Sequence, residues 1–319
     1  MLDVLATIPK AELHCHCDGV LDAHMLRGFA AQGLDVEPIA SAFEALRPIM
    51  SLERWTAEYQ PLAATFLDPL AERLRLVAVA QRARWRLQNV QYAELFVSGI
   101  LGAIADPGAL REWFRALALD LCEPSGIPQV NLVVCLSRTK VARHADRIVD
   151  LARAGLITGI AVAGDELACA VRDFQEHLRR IRECGIGIEI HVGEVGGPEW
   201  VRDTLDFGQP DRIGHGVRAF EDPFLVERLA KQGVHLEFCP TSNLRLGVIA
   251  TIDQLPVRQA LAAGIPFSIN TDDPGVFQCS MISELRLVQE TFSLSESDLR
   301  RIFQDSLLAA FPSRGTGGV

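Results

Sequence analysis

The 319-residue sequence predicts an α/β fold, a (β/α)8 TIM barrel with a helical insertion after the first strand. Short apolar segments rich in β-branched residues have the length of buried strands, and amphipathic helical segments separate them. Eight such units favour a closed barrel over an open doubly wound sheet. Neither a shift in composition nor a Ser/Gly-rich linker divides the chain, so we expect one domain over residues 1–319.

The first strand and the connection after it differ from the rest of the chain. A strand around Glu12 leads into a helical segment at residues 21–33, which ends at a glycine. Prolines punctuate residues 35–69, which contain helical pieces at 42–46 and 52–66. So long an excursion between strands is typical of a lid or an insertion, and we predict a helical lid over residues 21–69.

A long helix is predicted at residues 70–87, and from residue 92 onward a unit of strand and helix repeats. The strands after the first are predicted at residues 92–97, 130–135, 157–163, 186–191, 212–215, 234–239 and 266–271. The helices between them are predicted at residues 107–122, 138–154, 168–184, 198–207, 222–231 and 254–263. Residues 281–311 are predicted to be helical, and residues 312–319 to form a frayed polar tail.

The composition argues against several classes of partner. Hydrophobic residues make up 49% of the chain and charged residues 23%, which is ordinary for a globular protein with a core. The net charge is −10 and lysines and arginines form no run, so we expect neither nucleic acid nor a membrane as a partner. We see no signal peptide or apolar span and no C-x-x-C pair among the eight cysteines, which predicts a cytoplasmic protein with reduced thiols.

Two histidines at the end of the first strand predict half of a metal site. His14 and His16 are one residue apart, so on a strand both imidazoles point to the same face. The carboxyl ends of barrel strands share one rim, where His191 and Asp272 end two further strands. Three imidazoles and one carboxylate suit zinc, with a position left open for water. The fourth strand ends without the lysine that commonly bridges two metals, so we predict one zinc ion per chain.

Other strand ends carry groups that can move protons or approach a ligand closely. Gly164 ends the fourth strand, Glu194 follows the fifth, and His215 ends the sixth. Asn243 follows the seventh strand and Asp273 the eighth. If these strand-end residues only formed turns, they would be of assorted types. Instead, each is a potential metal ligand, an acid or base, or a glycine, so the pattern indicates an enzyme. The remaining histidines are predicted to be structural, namely His24, His144, His177 and His235.

Six motifs together resemble those of the adenosine deaminase family in the amidohydrolase superfamily, which includes adenosine, adenine and aminodeoxyfutalosine deaminases. They are PKAELHCHCDG at residues 9–19, AGDE at 163–166, HVGE at 191–194, RIGHG at 212–216, CPTSN at 239–243 and TDDP at 271–274. The motifs follow the family's order across the predicted barrel. The resemblance implies a zinc-dependent aminohydrolase that converts an adenosine-like 6-aminopurine nucleoside to the inosine-like product and ammonia, through attack of a zinc-activated water on purine C6.

The resemblance also implies a role for individual residues. It assigns zinc to the same four residues, His14, His16, His191 and Asp272. Glu194 would pass a proton to ring N1, and His215 would orient or deprotonate the attacking water and stabilise the developing oxyanion. Asp273 would hydrogen-bond the water and ring N7, and the Gly164 backbone would contact N3. Asp18 would contact the 5′-hydroxyl of a nucleoside.

The sequence leaves the substrate open among several 6-aminopurines. Family members that act on free adenine tend to carry glutamate in place of Asp18, so Asp18 favours a nucleoside. The chain departs from ordinary adenosine deaminases at Cys17, Val192, residues 20–24 and the region up to residue 69, which lie toward the sugar. Adenine, 6-aminodeoxyfutalosine and N6-substituted adenines are therefore alternative substrates. An amidohydrolase that does not deaminate and a relative that binds without catalysis are further alternatives.

Overall fold

Eight parallel strands follow one another around a barrel in chain order, which confirms the predicted fold class. The computed structural model describes residues 4–30, 33–46, 51–122 and 125–312. The strands are β1 (Lys10–His16), β2 (Val90–Ser98), β3 (Gln129–Ser137), β4 (Gly159–Ala163), β5 (Gly187–Val192), β6 (Arg212–His215), β7 (His235–Phe238) and β8 (Phe267–Ile269). Each strand pairs in parallel with the next one along the chain.

The last strand returns to the first through the residues that follow β8. The Asp272 carbonyl accepts a hydrogen bond from the His16 N–H at 2.9 Å, and the Asp272 N–H donates to the His14 carbonyl at 3.0 Å. One step below, the buried Glu12 carboxylate accepts bonds from the N–H and the hydroxyl of Thr271 at 3.1 and 2.8 Å. These bonds close the barrel where three of the four predicted metal ligands lie.

Helices occupy the connections between the strands. Those from β2 onward are Ile100–Ala103, Pro107–Asp120, Val141–Arg153, Gln175–Arg182, Pro198–Asp203, Pro223–Gln232, Pro240–Arg245, Val257–Ala263, Pro274–Phe277, Met281–Phe292 and Glu296–Ala309. A short helix at Val4–Thr7 precedes β1, and the long helix Leu70–Leu87 precedes β2. Within the described ranges, no helix has the length and apolar character needed to cross a bilayer.

Three helices begin later than the sequence predicts because a 3-10 turn occupies or precedes their expected first residues. These turns are Arg138–Lys140, Val171–Asp173 and Ile252–Gln254. The α-helices themselves start at Val141, Gln175 and Val257. The first of these turns brings new side chains to the rim of the barrel, as described below.

The connection after β1 is helical, as the sequence predicts. It contains the 3-10 turn Cys17–Val20, the helices Ala23–Ala30, Glu37–Ala45, Leu52–Arg54 and Gln60–Phe66, and the π-helix Trp55–Tyr59. The buried Tyr59 hydroxyl donates to the Leu21 carbonyl at 3.0 Å and lies 3.2 Å from the Asp18 carbonyl. Tyr59 therefore ties this segment to the turn that follows β1. Predicted lid residues 31–32 and 47–50 lie outside the described residues, and the lid role stays a prediction.

Residues 281–311 are mostly helical, as predicted, but they form two helices separated by a short break. The helix Met281–Phe292 ends at Ser293, which has a φ of 49°, and Ser295 caps the next helix by accepting a hydrogen bond from the Asp298 N–H at 3.2 Å. That helix ends at Ala309, and Phe311 turns under the barrel. Of the predicted tail, residues 313–319 lie outside the described residues.

Phe311 closes the amino-terminal end of the barrel. Its side chain is 3% exposed, and its ring lies 3.5 Å from the guanidinium carbon of Arg212. Gly159 and Gly187 face the ring, and a Cβ at either position would overlap it. The chain therefore uses two glycines and one aromatic ring to seal the end opposite the strand carboxyl ends.

Candidate active site

The four side chains predicted to bind metal converge at the carboxyl rim of the barrel. His14 and His16 lie at the end of β1, His191 is the penultimate residue of β5, and Asp272 follows β8. The Nε2 atoms of His16 and His191 are 3.2 Å apart. Asp272 Oδ1 lies 3.5 Å from His14 Nε2 and 3.4 Å from His16 Nε2. The ligand atoms of the three histidines all lie within 4.8 Å of one another, which is compact enough for one ion.

A second layer of side chains orients these groups. His14 Nδ1 lies 2.7 Å from Glu237 Oε2, and His191 Nδ1 lies 3.1 Å from Glu189 Oε2. The Ser242 hydroxyl donates to Asp272 Oδ2 at 2.7 Å. Carboxylates on the far nitrogen of a metal-binding imidazole fix its tautomer and ring angle, so this layer is the kind that metal centres carry.

The alternation of side chains on the strands explains why the second layer lies beneath the first. Glu189 and His191 are two residues apart on β5 and share its inward face, whereas Ile188 and Ile190 point outward into the apolar layer. A charged residue inside a short apolar strand was the sequence signal for this layer, and our prediction missed it.

Buried charges below the site are paired through one arginine. Arg212 on β6 donates to Glu237 Oε1 at 2.5 Å and to Glu94 Oε2 at 2.5 Å. Burial acts to raise the pKa of Glu237, but the charge of Arg212 and the contact with His14 outweigh it and lower that pKa to about 2. Glu237 is therefore an anion, and it presents a negative charge to the His14 ring.

The two residues predicted to move protons lie beside the metal cluster. Glu194 Oε2 lies 3.6 Å from His215 Nε2. Burial, reinforced by the negative charges of Asp272 and Glu166, raises the pKa of Glu194 to about 8, so its carboxyl holds a proton near neutral pH. Asn243 Nδ2 lies 3.1 Å from His215 Nδ1 and orients that ring.

The loop that carries Glu194 is held by Glu166, a residue of the AGDE motif to which no role was assigned. Glu166 Oε1 accepts a hydrogen bond from the Gly193 N–H at 2.8 Å. Its Oε2 accepts from the N–H groups of Glu194, Val195 and Gly196 at 3.3, 2.9 and 2.9 Å. The side chain is only 4% exposed, so one buried carboxylate fixes four consecutive backbone amides.

The predicted substrate-binding residues lie around the same cavity. Asp18 is in the 3-10 turn after β1, and its Oδ1 is buried without a hydrogen-bond partner among the described residues. Asp273 lies beside it across Gly19, where a Cβ would overlap the Asp273 carboxylate. Gly164 directly follows β4 and has a φ of 80°, a conformation that favours glycine. Their roles stay predictions.

Two site residues have a backbone conformation that non-glycine residues seldom adopt. His215 has a φ of 63° and Asp272 a φ of 61°. Left-handed conformations cost free energy and concentrate at functional sites, where the surroundings hold them. His215 ends β6, Asp272 follows β8, and both side chains lie at the cluster.

All the predicted site residues except the fully buried His14 line one cavity of about 510 Å³ at the carboxyl rim. Its volume falls in the range of about 300–1,000 Å³ that is typical of small-molecule sites. Trp55, Thr56 and Gln60 of the connection after β1 contribute to its wall. So do Lys140 and His144, and the latter was predicted to be structural. The sequence pattern could not show that the turn after β3 reaches the site.

Comparisons with known proteins agree with this arrangement. A family model described as adenosine deaminase matches residues 9–315. An adenine deaminase of Sinorhizobium fredii is 33% identical and aligns over 98% of this chain and 96% of its own. Two solved structures share the fold at 22% identity. An N6-mAMP deaminase of Arabidopsis has a TM-score of 0.79, covering 98% of this chain and 96% of its own. An amidohydrolase of Burkholderia ambifaria with bound Zn has a TM-score of 0.76, covering 98% and 88%. The chain therefore belongs to the adenosine deaminase family, a family of hydrolytic deaminases in the amidohydrolase superfamily.

Proposed function

We propose that this chain is a zinc-dependent aminohydrolase that replaces the 6-amino group of a 6-aminopurine nucleoside with oxygen and releases ammonia. The observation that carries the proposal is that three clustered imidazoles, a carboxylate and the protonated carboxyl of Glu194 meet at one cavity, whose wall includes all of them except the buried His14. A hydrolase that cleaves an amide or ester could use the same metal ligands. Membership of a deaminase family favours deamination over that alternative.

We infer that one zinc ion is held by His14, His16, His191 and Asp272. His14 Nε2 is buried and has no hydrogen-bond partner among the described residues, which supports a cation at that point. Imidazole nitrogens and a carboxylate oxygen are ligands that zinc prefers. The Burkholderia ambifaria amidohydrolase contains Zn. A bound zinc ion would supply a Lewis acid that makes water nucleophilic at neutral pH.

The residues around the metal ligands have separate tasks in this proposal. Glu194 donates its proton to purine N1, which draws electrons away from C6 and prepares it for attack. His215, held by Asn243, orients the attacking water, accepts its proton and stabilises the oxyanion that forms. Asp273 hydrogen-bonds the water and N7, and the Gly164 backbone contacts N3. The buried walls exclude bulk water from these proton transfers.

The choice between a nucleoside and free adenine depends on Asp18. Its buried Oδ1 without a partner supports a ligand hydroxyl at that point, which a nucleoside supplies and adenine lacks. Free adenine is the second candidate, because the Sinorhizobium fredii relative is an adenine deaminase. N6-substituted adenines and 6-aminodeoxyfutalosine are the remaining candidates, because they carry the same ring N1 for Glu194 to protonate.

A panel of 6-aminopurines tests the proposal. We expect the zinc-loaded protein to release ammonia from at least one member, and kcat/KM to be higher for a nucleoside than for adenine. Glu194→Gln should keep its zinc and lose most of its turnover, because an amide cannot donate the same proton. A Glu194→Gln protein with wild-type kcat would contradict the assigned role. Full zinc occupancy without ammonia from any member would contradict the function.

A further inference from the structure

The main chain of His191 is held by a buried arginine from another connection. Neighbouring residues of a strand direct their carbonyls to opposite sides, and the Val192 carbonyl points to β6, where it accepts a hydrogen bond from the Gly216 N–H at 3.0 Å. The His191 carbonyl therefore points toward β4, but β4 ends at Ala163. Arg138, from the 3-10 turn after β3, reaches this carbonyl, and its Nη2 donates to it at 2.7 Å. A side chain thus supplies a hydrogen bond at the point where β4 stops.

The same guanidinium contacts both ends of the loop that carries Glu194. His191 lies two residues before the loop at residues 193–196. Trp200 lies in the helix that follows the loop, and its ring centre is 5.9 Å from the guanidinium carbon of Arg138. An arginine over an aromatic ring at this distance is attracted to the face of the ring. Arg138 therefore connects the strand before the loop to the helix after it.

This guanidinium is a charge that the fold buries at a cost. Arg138 is 2% exposed, and its Nε has no hydrogen-bond partner among the described residues. Burial lowers the pKa of Arg138, and the charges of Glu166 and Asp203 offset this effect only in part. Its hydrogen-bond partners are the carbonyls of His191 and Cys169. A buried cation that binds carbonyls rather than a carboxylate costs free energy. Its planar group has donors in fixed directions, which suits it to hold a main chain in one position.

We propose that Arg138 is a positioning residue, whose guanidinium fixes the main chain of the metal ligand His191 and the loop that carries the proton donor Glu194. This inference rests on the proposed function, which assigns those two roles. Arg138 lies behind the wall of the cavity, so it acts through these residues and not on the substrate. It differs from Glu166, whose hydrogen bonds reach the loop but no predicted metal ligand. Loss of Arg138 should therefore weaken metal binding as well as slow turnover.

Zinc affinity tests this role on the full chain without any need for turnover. Arg138→Met removes the charge and the donors but keeps an unbranched side chain. Its zinc Kd, measured by competition with a chelator, should rise by about tenfold to a hundredfold, the usual effect of removing a group that orients a metal ligand. The visible spectrum of the cobalt-substituted protein should also change, because it depends on how the ligands are arranged. Arg138→Lys keeps the charge and a donor, and its Kd should lie between those of the wild type and Arg138→Met.

Two controls separate positioning from a general loss of stability. Arg172→Met also removes an arginine that lies over an aromatic ring of the connection after β5, the ring of Phe207. Arg172 pairs with Asp203 and not with a predicted site residue, so the zinc Kd and the cobalt spectrum should be those of the wild type. Phe311→Ala removes a buried side chain at the opposite end of the barrel. It should lower stability and leave both metal readouts unchanged.

A zinc Kd and a cobalt spectrum of Arg138→Met that match the wild type would overturn the positioning role, and so would an equal rise of the Kd in Phe311→Ala. If Arg138→Met does not fold, Arg138→Lys decides, and a wild-type Kd in that variant overturns the role. With zinc saturating, kcat of Arg138→Met should be lower by about tenfold, and a wild-type kcat would overturn the role at the Glu194 loop.

The outcomes also separate this inference from the proposed function. If the wild type binds zinc but releases no ammonia from any 6-aminopurine, the proposed function fails, and the metal readouts still decide the role of Arg138. A wild type that binds no zinc would contradict both.

Discussion

Replacing Glu166 with glutamine is expected to slow turnover while the metal stays bound. The Glu166 carboxylate accepts four backbone hydrogen bonds from the loop at residues 193–196, which carries Glu194. A glutamine has one acceptor oxygen. If that oxygen takes the position of Oε2, the amide NH2 faces the Gly193 N–H. Both groups are donors, so this hydrogen bond is lost. The loop must then move away from the position in which Glu194 meets the substrate.

The size of the effect follows from the hydrogen bonds that are lost. A hydrogen bond to a charged group contributes about 1.5–3 kcal/mol, and the side chain is buried, so water replaces it poorly. At about 1.4 kcal/mol for each factor of ten, this corresponds to a kcat lower by about tenfold to a hundredfold. Displacing a proton donor by about 1 Å has a cost of the same order.

The assay measures kcat for ammonia release, zinc content and thermal stability on the same preparations. Zinc content should not change, because no hydrogen bond of Glu166 reaches a predicted metal ligand. Glu199→Gln is the matched control, since Glu199 is an exposed carboxylate on the helix just after the loop and should have wild-type kcat. A Glu166→Gln enzyme with wild-type kcat and full zinc would refute the positioning role.

Two further predictions concern stability. Phe311→Ala should lower the free energy of unfolding, measured by denaturant titration, by about 3–5 kcal/mol, because it leaves a cavity under Arg212. Phe224→Ala is the control and should have little effect, since the Phe224 side chain is 81% exposed. Burial raises the pKa of Glu284 from 4.5 to about 7, so between these values the native state binds more protons than the unfolded chain and stability falls as pH rises. In Glu284→Gln, the free energy of unfolding should fall by about 3 kcal/mol less than in the wild type between pH 4.5 and pH 7. Melting curves with the same pH dependence in both proteins would contradict this prediction.

The strands were predictable from the sequence because their apolar runs are short and their neighbours are helices of clear periodicity. The break within the predicted C-terminal helical region was not, because the residues keep a helical pattern through the left-handed Ser293 and the Ser295 cap. Phe311 also looked like the last apolar position of a helix. Its place under Arg212 depends on contacts with β4, β5 and β6, which are distant in the sequence, and no local pattern contains such contacts.

The predicted metal ligands could be found because His14 and His16 share a strand face and His191 and Asp272 lie at strand ends. The part of the cavity wall that follows β3 could not be found in this way. Lys140 and Arg143 look like ordinary exposed residues of an amphipathic helix. Both nevertheless line the cavity, and Lys140 ends the 3-10 turn after β3.

Several residues of the six motifs have no chemical role implied by the resemblance, and these residues hold a neighbouring connection in place. Ser242 and Asn243, from the connection after β7, hydrogen-bond Asp272 after β8 and His215 at the end of β6. Asp272 and His215 are also the two site residues with left-handed backbones, so each strained residue has its side chain tied to the connection between them.

Residues of one connection also hold residues of another connection elsewhere around the rim. Glu166, after β4, holds the loop after β5, and Gly19, after β1, leaves the space that the Asp273 carboxylate fills after β8. Four of the proposed site residues are therefore positioned by a residue from another connection and another motif, namely Glu194, His215, Asp272 and Asp273. This is a physical reason for the motifs to occur together: a proton donor or a ligand without its partner from the adjacent connection would be present but out of position.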